Sequence, residues 1–443
     1  MNTKFLGTLV LLAGAVLSLP AGAETLDQAL AAAYHNNPQL HAARAGQRAA
    51  QRDVAAAKDG WYPGIALTAG IGHDNTTGQI TFFPGPPFGA TLDQSQVGLR
   101  LNQPIWQGGT ISNRIDAAED AASAIHALTR ASEATVLLQA VKAYLGVVTA
   151  QAVLKVQTHN VSTLRRQLDA AQQALAYGEG TRTDVAQAKS RMEGAVATRI
   201  RARSTLAQAQ AYYRTVIGHA PMPVLVFPRT LPALPRSLQQ AIAFASQNYR
   251  VSAARFNAQA AQATANSIHG QLLPKIGLYA EVIRQNNPEY GFARVTNRVV
   301  GLSIDIPIWQ GGAIRDRTAA ARERVQEAEF QTRAVVDQSR NEAVAAWQDN
   351  LAAGAAVTAI RAQLDAARIA YRGTQDQHRH GLRTLLDVLN TVQEVRNAHV
   401  ALLRARSARI VTAYALLAAT GNLTARALHL PLAGSGKAES ASP

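Results

Sequence analysis

The sequence contains one six-residue motif twice. Pro-Ile-Trp-Gln-Gly-Gly occupies residues 104–109 and returns at residues 307–312, which is 203 positions later. Three further pairs of residues keep the same offset: Gly178 and Gly381, Asp184 and Asp387, and Gly218 and Gly421. An offset that stays constant over so long a stretch indicates a tandem duplication. The chain is therefore predicted to consist of two related halves.

Each half is predicted to contain two β-strands. Apolar residues alternate with glycine or polar residues in four segments: residues 61–72, 97–104, 275–283 and 300–306. This two-residue period is typical of strands with one apolar face. Two segments between the paired strands are predicted to be polar loops, residues 73–93 and 284–298.

Long helices are predicted around the strands. No proline occurs between Ile105 and Ala220 or between Ile308 and Leu430, and strong helix formers dominate both stretches. Six helices are predicted, at residues 26–59, 110–176, 184–217, 238–270, 313–379 and 387–420. The longest would span about 100 Å at 1.5 Å per residue. Helices 26–59 and 184–217 are expected to stack end to end beside helix 110–176, because their summed lengths match it.

The ends of the chain and the region between its halves differ in composition from the repeats. Lys4, the apolar run from Phe5 to Leu19 and the small residues at 21–23 predict a signal peptide. Five prolines mark residues 219–236 as a linker. The predicted organisation is a signal peptide at 1–23, repeats at 24–218 and 237–421 around the linker, and a tail at 422–443. No stretch after the signal peptide is expected to be apolar enough for a transmembrane helix, which needs about 20 residues.

Composition argues against several classes of function. The chain has 44 basic and 29 acidic residues, but Lys and Arg are scattered through the helical segments, so no nucleic acid is expected as a partner. The absence of cysteine excludes disulfides and thiolate metal sites. No motif of a nucleotide-binding loop, zinc protease or serine hydrolase is present. We expect no enzyme activity, cofactor or metal, and interpret His378 and His380 as exposed histidines at a turn.

The number of strands constrains how the chain could enter a membrane. A sheet with open edges cannot face lipid, and membrane barrels start at about 8 strands. An apolar face suits lipid, and a polar face carrying Arg100 and Asp305 suits an aqueous lumen. Two chains would leave little lumen, so three chains with twelve strands are favoured. The alternative is a soluble four-stranded sheet packed on the helices.

The duplicated motif lies where each second strand meets a long helix. Pro104 and Pro307 are predicted to end strand pairing, because proline lacks a backbone N–H. The glycines that follow permit the change of direction into the helix: Gly108, Gly109, Gly311 and Gly312. Trp106 and Trp309 suit either an aromatic belt at a membrane surface or packing between strand and helix.

The chain resembles the TolC-like outer membrane efflux proteins. The resemblance rests on the signal peptide, the duplicated order of strand, loop, strand and helical hairpin, the motif before each hairpin, and Gly-x-x-x-x-x-Asp-Val at each hairpin tip. It implies a mainly α fold with a membrane β-barrel part. Long helical hairpins of a homotrimer would form an α-barrel in the periplasm, and four strands per chain would complete a 12-stranded barrel in the outer membrane lipid.

The resemblance also implies a function and partners. The protein would be a passive channel-tunnel for secreted proteins or small toxic molecules. It would receive them from a periplasmic adaptor (a membrane fusion protein) and an inner-membrane pump of the ABC or proton-driven type. Adaptor docking is implied at four residues of the hairpin tips: Gly178, Gly180, Gly381 and Leu382.

A periplasmic gate is implied at the same tips. Arg383 is expected to contact Thr183 and Asp184, and Asp387 matches an acidic residue that faces the lumen. Asn390 stands where the family has a second acid one helical turn later, and His378 stands in place of a tyrosine. Both departures weaken the expected cation selectivity and closed-state contacts.

Two simpler interpretations remain open from the residues. Asp184 and Asp387 lie at predicted helix starts, where aspartate caps the first turn, and Gly178 and Gly381 could simply end the preceding helices. The whole chain could instead be a periplasmic coiled-coil adaptor or a structural protein of an export assembly. Its two hairpins and four alternating strands argue against that alternative, because such adaptors typically have one hairpin.

Overall fold

The computed structural model describes residues 24–78, 88–228, 230–288 and 293–431. The predicted signal peptide and residues 432–443 of the predicted tail lie outside the described residues. The elements in chain order are α1 (Leu26–Asn36), α2 (Pro38–Lys58), β1 (Gly64–Gly78), β2 (Phe88–Trp106), α3 (Thr110–Ala176), α4 (Arg182–Ile217), α5 (Leu238–Ala245), α6 (Tyr249–His269), β3 (Lys275–Asn286), β4 (Arg294–Asp305), α7 (Ala313–Arg379) and α8 (Leu385–Ala419).

The two long helices confirm the sequence prediction at both ends. α3 and α7 each contain 67 residues and run without interruption. The return helices α4 and α8 begin slightly earlier than predicted, because Thr181 and Thr384 cap them. A threonine hydroxyl that accepts an N–H of the first turn fixes where a helix starts.

The first predicted helix of each half is broken at an asparagine. Asn37 separates α1 from α2, and Asn248 precedes α6. Pro38 follows Asn37, and the residue before a proline is disfavoured in a helix. The Asn37 side chain donates to the Val216 carbonyl in α4 at 3.0 Å, and Asn248 makes the equivalent bond to Ala419 in α8 at 3.3 Å. These two carbonyls are related by the sequence offset, so the duplication is preserved in three dimensions.

The helices pack as a layer around α3. α2 and α4 both pack against α3, and α1 contacts α3 and α4, which confirms the predicted stacking. α6 and α8 pack on α3 as well, and they join the second half to the first. α7 packs with α5, α6 and α8.

The largest core cluster lies where α1, α3, α4 and α8 meet. Tyr144 and Tyr213 are fully buried there, and the Tyr213 hydroxyl donates to the Glu24 carboxylate at 2.6 Å. Burial, together with this bond, raises the pKa of Tyr213, so the phenol keeps its proton. Leu225 and Leu423 complete the cluster. The predicted linker and the first part of the predicted tail are therefore packed parts of the fold.

One expectation about hydrophobicity was wrong. α3 contains a window that is long and apolar enough to cross a membrane by length and composition. Most of that window is buried inside the protein. Packing of α3 against its neighbouring helices accounts for its apolar composition, as in the core helix of a soluble domain.

The four strands form one antiparallel sheet in the order β1-β2-β3-β4. The predicted loops 73–93 and 284–298 were placed too broadly, since β1 and β2 pair as far as Gly78 and Phe88, and β3 and β4 pair as far as Asn286 and Arg294. Backbone hydrogen bonds extend a strand pair whatever the polarity of its side chains. The polar composition of these segments therefore led to a loop prediction where the strands in fact continue.

Pro104 does not end its strand as predicted. It lies opposite Gly277, and β2 continues to Trp106 through an irregularity in the register. Proline is tolerated in a strand at such a bulge, where a backbone donor is not needed. In the second half β4 ends at Asp305, before Pro307.

Candidate functional site

One face of the sheet is apolar and exposed in the single chain. The register places Leu67 opposite Leu99, and Leu99 opposite Val282. Further along the same face, Val300 is 76 % exposed and Ile304 is 66 % exposed. A contiguous exposed apolar surface indicates contact with a partner or a membrane.

The opposite face of the sheet is polar. Arg100 lies opposite Glu281 on the neighbouring strand, and the two form an ion pair at 2.8 Å. Asp305 lies opposite Lys275 on the same face. The sheet thus separates an apolar from a polar surface, as the alternation in the sequence predicted.

Glycines make the turns between the sheet and the long helices. Gly108 and Gly109 have φ angles of 60° and 77°, and Gly311 and Gly312 have 63° and 84°. A side chain is rarely accommodated at such angles. A Cβ atom on Gly108 would lie 2.8 Å from that of Leu273 and would also clash with the Gly270 carbonyl, whereas one on Gly311 would meet open space. The two equivalent junctions therefore differ in their surroundings.

The tryptophans of the two junctions also differ in exposure, and the one in the second half is the more exposed. Trp106 is 40 % exposed at the end of β2, and Trp309 is 82 % exposed. Both lie at the end of the sheet that adjoins the helices. This position fits an aromatic belt at a membrane surface, and Trp106 also packs in part against the protein.

Both hairpin tips have the same local construction. Gly178 and Gly381 follow the ends of α3 and α7 with φ angles of 77° and 74°. Asp184 and Asp387 stabilise the first turns by accepting backbone N–H bonds, as predicted, but they are the third residues of α4 and α8, and a threonine precedes each helix as its capping residue. Each aspartate accepts hydrogen bonds from the hydroxyl and the backbone N–H of its threonine, in the arrangement called a capping box.

The environment of Asp387 favours its ionised form. Hydrogen bonds from the hydroxyl and the backbone N–H of Thr384 lower the pKa of Asp387, and the charges of Arg383 and His378 contribute in the same direction. The carboxylate therefore stays ionised at neutral pH and well into acid. The tip of the second hairpin therefore carries a negative charge at neutral pH.

The remaining residues of the second tip are bonded within the turn. The Arg383 Nε donates to the Gln377 side chain at 3.3 Å, and the Arg383 carbonyl lies 2.8 Å from His378 Nδ1. Within the described residues Arg383 makes no bond to Thr183 or Asp184. Leu382 at the tip is 74 % exposed.

Asn390 has a partner that the sequence did not reveal. Arg191 in α4 donates to the Asn390 side chain in α8 at 2.9 Å. The two helices belong to different hairpins, and an apolar cluster that includes Ala188 and Leu389 joins them at this level. The sequence contained one signal at this position, because the resemblance implies an acid where this chain has Asn390. The partner is 199 residues away and follows only from the packing.

The described residues contain no group of three or more His, Asp or Glu side chains arranged to hold a metal ion. His380 Nδ1 lies 2.8 Å from the Asp376 carbonyl. His378 is likewise bonded to a carbonyl across the turn. Both histidines therefore contribute to the shape of the tip.

Comparison with known proteins identifies the family. The sequence profile described as "Outer membrane efflux protein" matches residues 29–219 and 241–422, which are the two halves of the duplication. The chain belongs to this outer membrane efflux protein family.

Individual members of the family are similar over almost their whole length. The outer membrane efflux protein BepC of Brucella suis is 34% identical over 441 residues, which cover 96% of this chain and 91% of BepC. The outer membrane protein TolC of Vibrio cholerae is 25% identical, over 95% of this chain and 96% of TolC. The crystal structure of the Campylobacter jejuni CmeC outer membrane channel shares the fold, with a TM-score of 0.79 at 14% identity over 96% of this chain and 94% of that one.

These matches show where in the cell the protein is located. Members of the efflux family are outer membrane channels for export that span the periplasm. The chain is therefore an outer membrane channel protein of the TolC-like type. It lies in the outer membrane and extends into the periplasm.

Proposed function

We propose that three copies of this efflux-family protein form a passive channel-tunnel through the outer membrane. It would accept secreted proteins or small toxic molecules from a periplasmic adaptor and an inner-membrane pump. The channel itself would catalyse no reaction, and the pump would supply the energy. A difference in burial between equivalent helix positions carries this proposal.

The difference lies between α3 and α7. Ala127 and Val148 in α3 are each 4 % exposed, whereas Phe330 and Leu351, which occupy the equivalent positions in α7, are 62 % and 53 % exposed. α3 packs on α6 and α8 of the other half, but within the described residues α7 makes no comparable packing with α2 or α4. Those contacts are therefore expected from the α2 and α4 of a neighbouring copy, and repetition of the same contact closes a ring.

The sheet supports the same assembly. β1 and β4 are its two edges, and each leaves backbone donors and acceptors unpaired in the single chain. Open edges do not face lipid, so β4 of one chain is expected to pair with β1 of the next. Three chains supply twelve strands, enough for an aqueous lumen lined by the polar face.

The gate proposal concerns the hairpin tips. In the trimer Arg383 would contact Thr183 and Asp184 of an adjacent hairpin, and three Asp387 carboxylates would lie near the lumen axis. An exposed ion pair contributes about 0.2–1 kcal/mol, so three such contacts would bias the gate by about 0.6–3 kcal/mol. That range is sufficient to shift a two-state opening equilibrium. The exposed tip residues Gly178, Gly180, Gly381 and Leu382 would remain available to the adaptor.

Single-channel conductance in a planar bilayer tests the function and the gate together. The mature protein is compared with the double variant Arg383→Ser/Asp184→Asn, which removes the gate charges but keeps a capping side chain. The matched control is Arg379→Ser/Asp376→Asn, which removes an ion pair of 3.2 Å in the same hairpin outside the gate. We expect a small conductance that rises in the gate variant only.

Two results would contradict the proposal. An unchanged conductance in a correctly assembled gate variant would remove Arg383 and Asp184 from the gate. The absence of any conductance from assembled protein would instead favour a periplasmic coiled-coil adaptor or structural protein.

A further inference from the structure

Three arginines lie on the apolar face of the sheet, at the end away from the helices. The register places Arg298 opposite Val282, and Val282 lies opposite Leu99 within the apolar surface. Side chains two residues apart on a strand point to the same face. Arg284 therefore shares this face with Val282, and Arg294 shares it with Arg298. The sequence predicts a loop over residues 284–298, and the strand pairing is what brings these charges together.

The three arginines are close enough to act on one ligand. Arg284 lies opposite Thr296, and is thus the diagonal neighbour of both Arg294 and Arg298. Diagonal neighbours in an antiparallel sheet are about 7–8 Å apart, and an arginine side chain easily bridges half that distance. The triad is exposed to solvent in the single chain.

The charges of the triad are not neutralised by the described part of the protein. The ion pairs among the described residues join other side chains, and none includes Arg284, Arg294 or Arg298. The Arg294 Nε donates to the Asn286 side chain at 3.1 Å, which orients one guanidinium. Three cations at this spacing repel one another, so an anion that bridges them would stabilise the arrangement.

The position of the triad defines the kind of anion. On β4 the exposed apolar residues Val300, Leu302 and Ile304 follow Arg298 toward the helices, and Trp309 lies beyond them. Arginine on the lipid face of a barrel costs about 2–4 kcal/mol at the middle of the membrane but about 0–1 kcal/mol near its surface. The triad therefore lies at the boundary of the apolar band, where lipid headgroups are found. Because the helices extend into the periplasm, this boundary belongs to the outer leaflet.

We propose that Arg284, Arg294 and Arg298 form a binding site for the phosphate groups of an outer-leaflet glycolipid. The planar guanidinium donates two parallel hydrogen bonds to a phosphate, which makes arginine better suited than lysine to this ligand. The side chains project from the face of the sheet and not from its edge. Pairing of β4 with a neighbouring chain would leave them accessible to lipid.

This inference rests on the proposal that the sheet forms a membrane barrel. A bound headgroup at three equivalent places would fix the height of the barrel in the membrane. It would also cover the positive charges on a surface that is otherwise apolar. The site is distinct from the gate and the lumen, because it lies on the opposite face of the sheet from Arg100 and Glu281.

Binding of purified lipid A to the detergent-solubilised mature protein tests the site. Native mass spectrometry counts the lipid molecules bound as lipid A with two phosphates is added, and dephosphorylated lipid A and inorganic phosphate serve as comparison ligands. The test variant is Arg284→Gln/Arg294→Gln/Arg298→Gln. The matched control is Arg100→Gln, which removes the same side chain from the polar face of the same sheet.

We expect the triple variant to bind phosphorylated lipid A at least about tenfold more weakly, since charge-assisted hydrogen bonds to each arginine are lost. Arg100→Gln should bind like the unaltered protein, and dephosphorylated lipid A should bind the unaltered protein weakly. Arg284→Gln, which removes only the central arginine, gives the same test if the triple variant does not assemble.

Equal binding of the two forms of lipid A, or undiminished binding by the arginine variants, would overturn the site. Full displacement of lipid A by inorganic phosphate would assign the site to free phosphate and would also overturn the lipid proposal. Conductance is recorded on the same preparations. A protein that binds phosphorylated lipid A but does not conduct would contradict the channel and not the lipid site.

Discussion

At the scale of single residues, the hairpin tips show how one side chain can serve both folding and function. Asp387 completes the capping box of α8 with Thr384, and the same bonds lower its pKa. The folding role does not compete with a role in the lumen, because a carboxylate has several acceptor positions. Asp184 completes the same box with Thr181 in the first hairpin.

The pKa of Asp387 predicts a pH dependence of ion selectivity. The folded-state pKa of Asp387 lies below the ordinary value of 3.8. The carboxylate is therefore charged at any pH above its folded-state pKa, and it loses its charge only when the pH falls through that lowered pKa. Preference for cations should follow the same course. In Thr384→Ala the pKa of Asp387 should rise toward 3.8, because the hydroxyl bond is lost. Loss of the capping hydroxyl should also destabilise α8 by about 1 kcal/mol. Reversal potentials in a salt gradient, measured from neutral to acid pH, report the midpoint.

Two further variants are measured in the same way, one that leaves Asp387 untouched and one that removes its carboxylate. Thr181→Ala removes the equivalent cap from the other hairpin and should leave the midpoint in place, since it does not touch Asp387. Asp387→Asn should reduce the preference for cations at every pH above the pKa of Asp387 and should make no difference below it. An unaltered reversal potential in Asp387→Asn would show that this carboxylate does not contribute to selectivity.

At the scale of elements, the bond between Arg191 and Asn390 ties α4 to α8 and thus one hairpin to the other. The apolar cluster around Ala188 and Leu389 provides the packing at this level, while the polar pair sets which positions face each other. Relative sliding of the hairpins would have to break this bond. The contact is therefore a place where sequence changes should alter the gate without changing the fold.

Asn390→Asp tests this contact. The new carboxylate would lie beside Arg191 and form an ion pair worth about 0.2–1 kcal/mol. The charge of the pair falls from +1 to 0 in this variant, so we expect a modest rise in cation preference. In the Arg191→Gln/Asn390→Asp double variant the local charge is −1, and cation preference should rise further. Equal reversal potentials for the single and the double variant would contradict the coupling.

At the scale of the whole molecule, the two halves have the same plan but different surroundings. α3 is covered on several sides by helices of both halves, and α7 by helices of its own half. The junction glycines show the same asymmetry, since Gly108 is packed against the second half and Gly311 faces open space. The exposed surface of α7 is equivalent to the surface of α3 that the second half covers. A neighbouring copy could cover α7 in the same way, and repetition of that contact would close a ring.

Phe330→Glu is predicted to prevent trimer formation. The side chain is exposed in the single chain, and a charge placed in the proposed interface would be buried there at a cost of several kcal/mol. Light scattering after size exclusion should show monomers, and circular dichroism should show unchanged helix content. Phe330→Leu keeps an apolar contact and should remain trimeric. A trimeric Phe330→Glu protein would place the interface elsewhere.

Much of the fold follows from local signals in the sequence. The composition of residues 110–176 and 313–379 predicted both long helices correctly, because strong helix formers without proline act through the local backbone. The roles of the glycines at the tips and at the sheet–helix junctions were also predicted from local properties, because glycine readily adopts the positive φ angles that these turns require. The ends of the strands were missed, because pairing between strands depends on a partner and not on composition. The role of Asp184 and Asp387 in the first turn was predicted correctly, but the threonines three residues earlier, with which they form capping boxes, were missed.

The order of residues is enough to predict the duplication, the two strands and long helical hairpin of each half, and the apolar and polar faces of the sheet. These properties depend on residue order and on periods of two and about 3.6 residues. Three other features could be read only from the folded chain: Arg191 bonds to Asn390, three arginines lie together on the apolar face, and α3 is covered where α7 is exposed. Such contacts join residues far apart in the chain, and their geometry arises only when helices pack and strands pair.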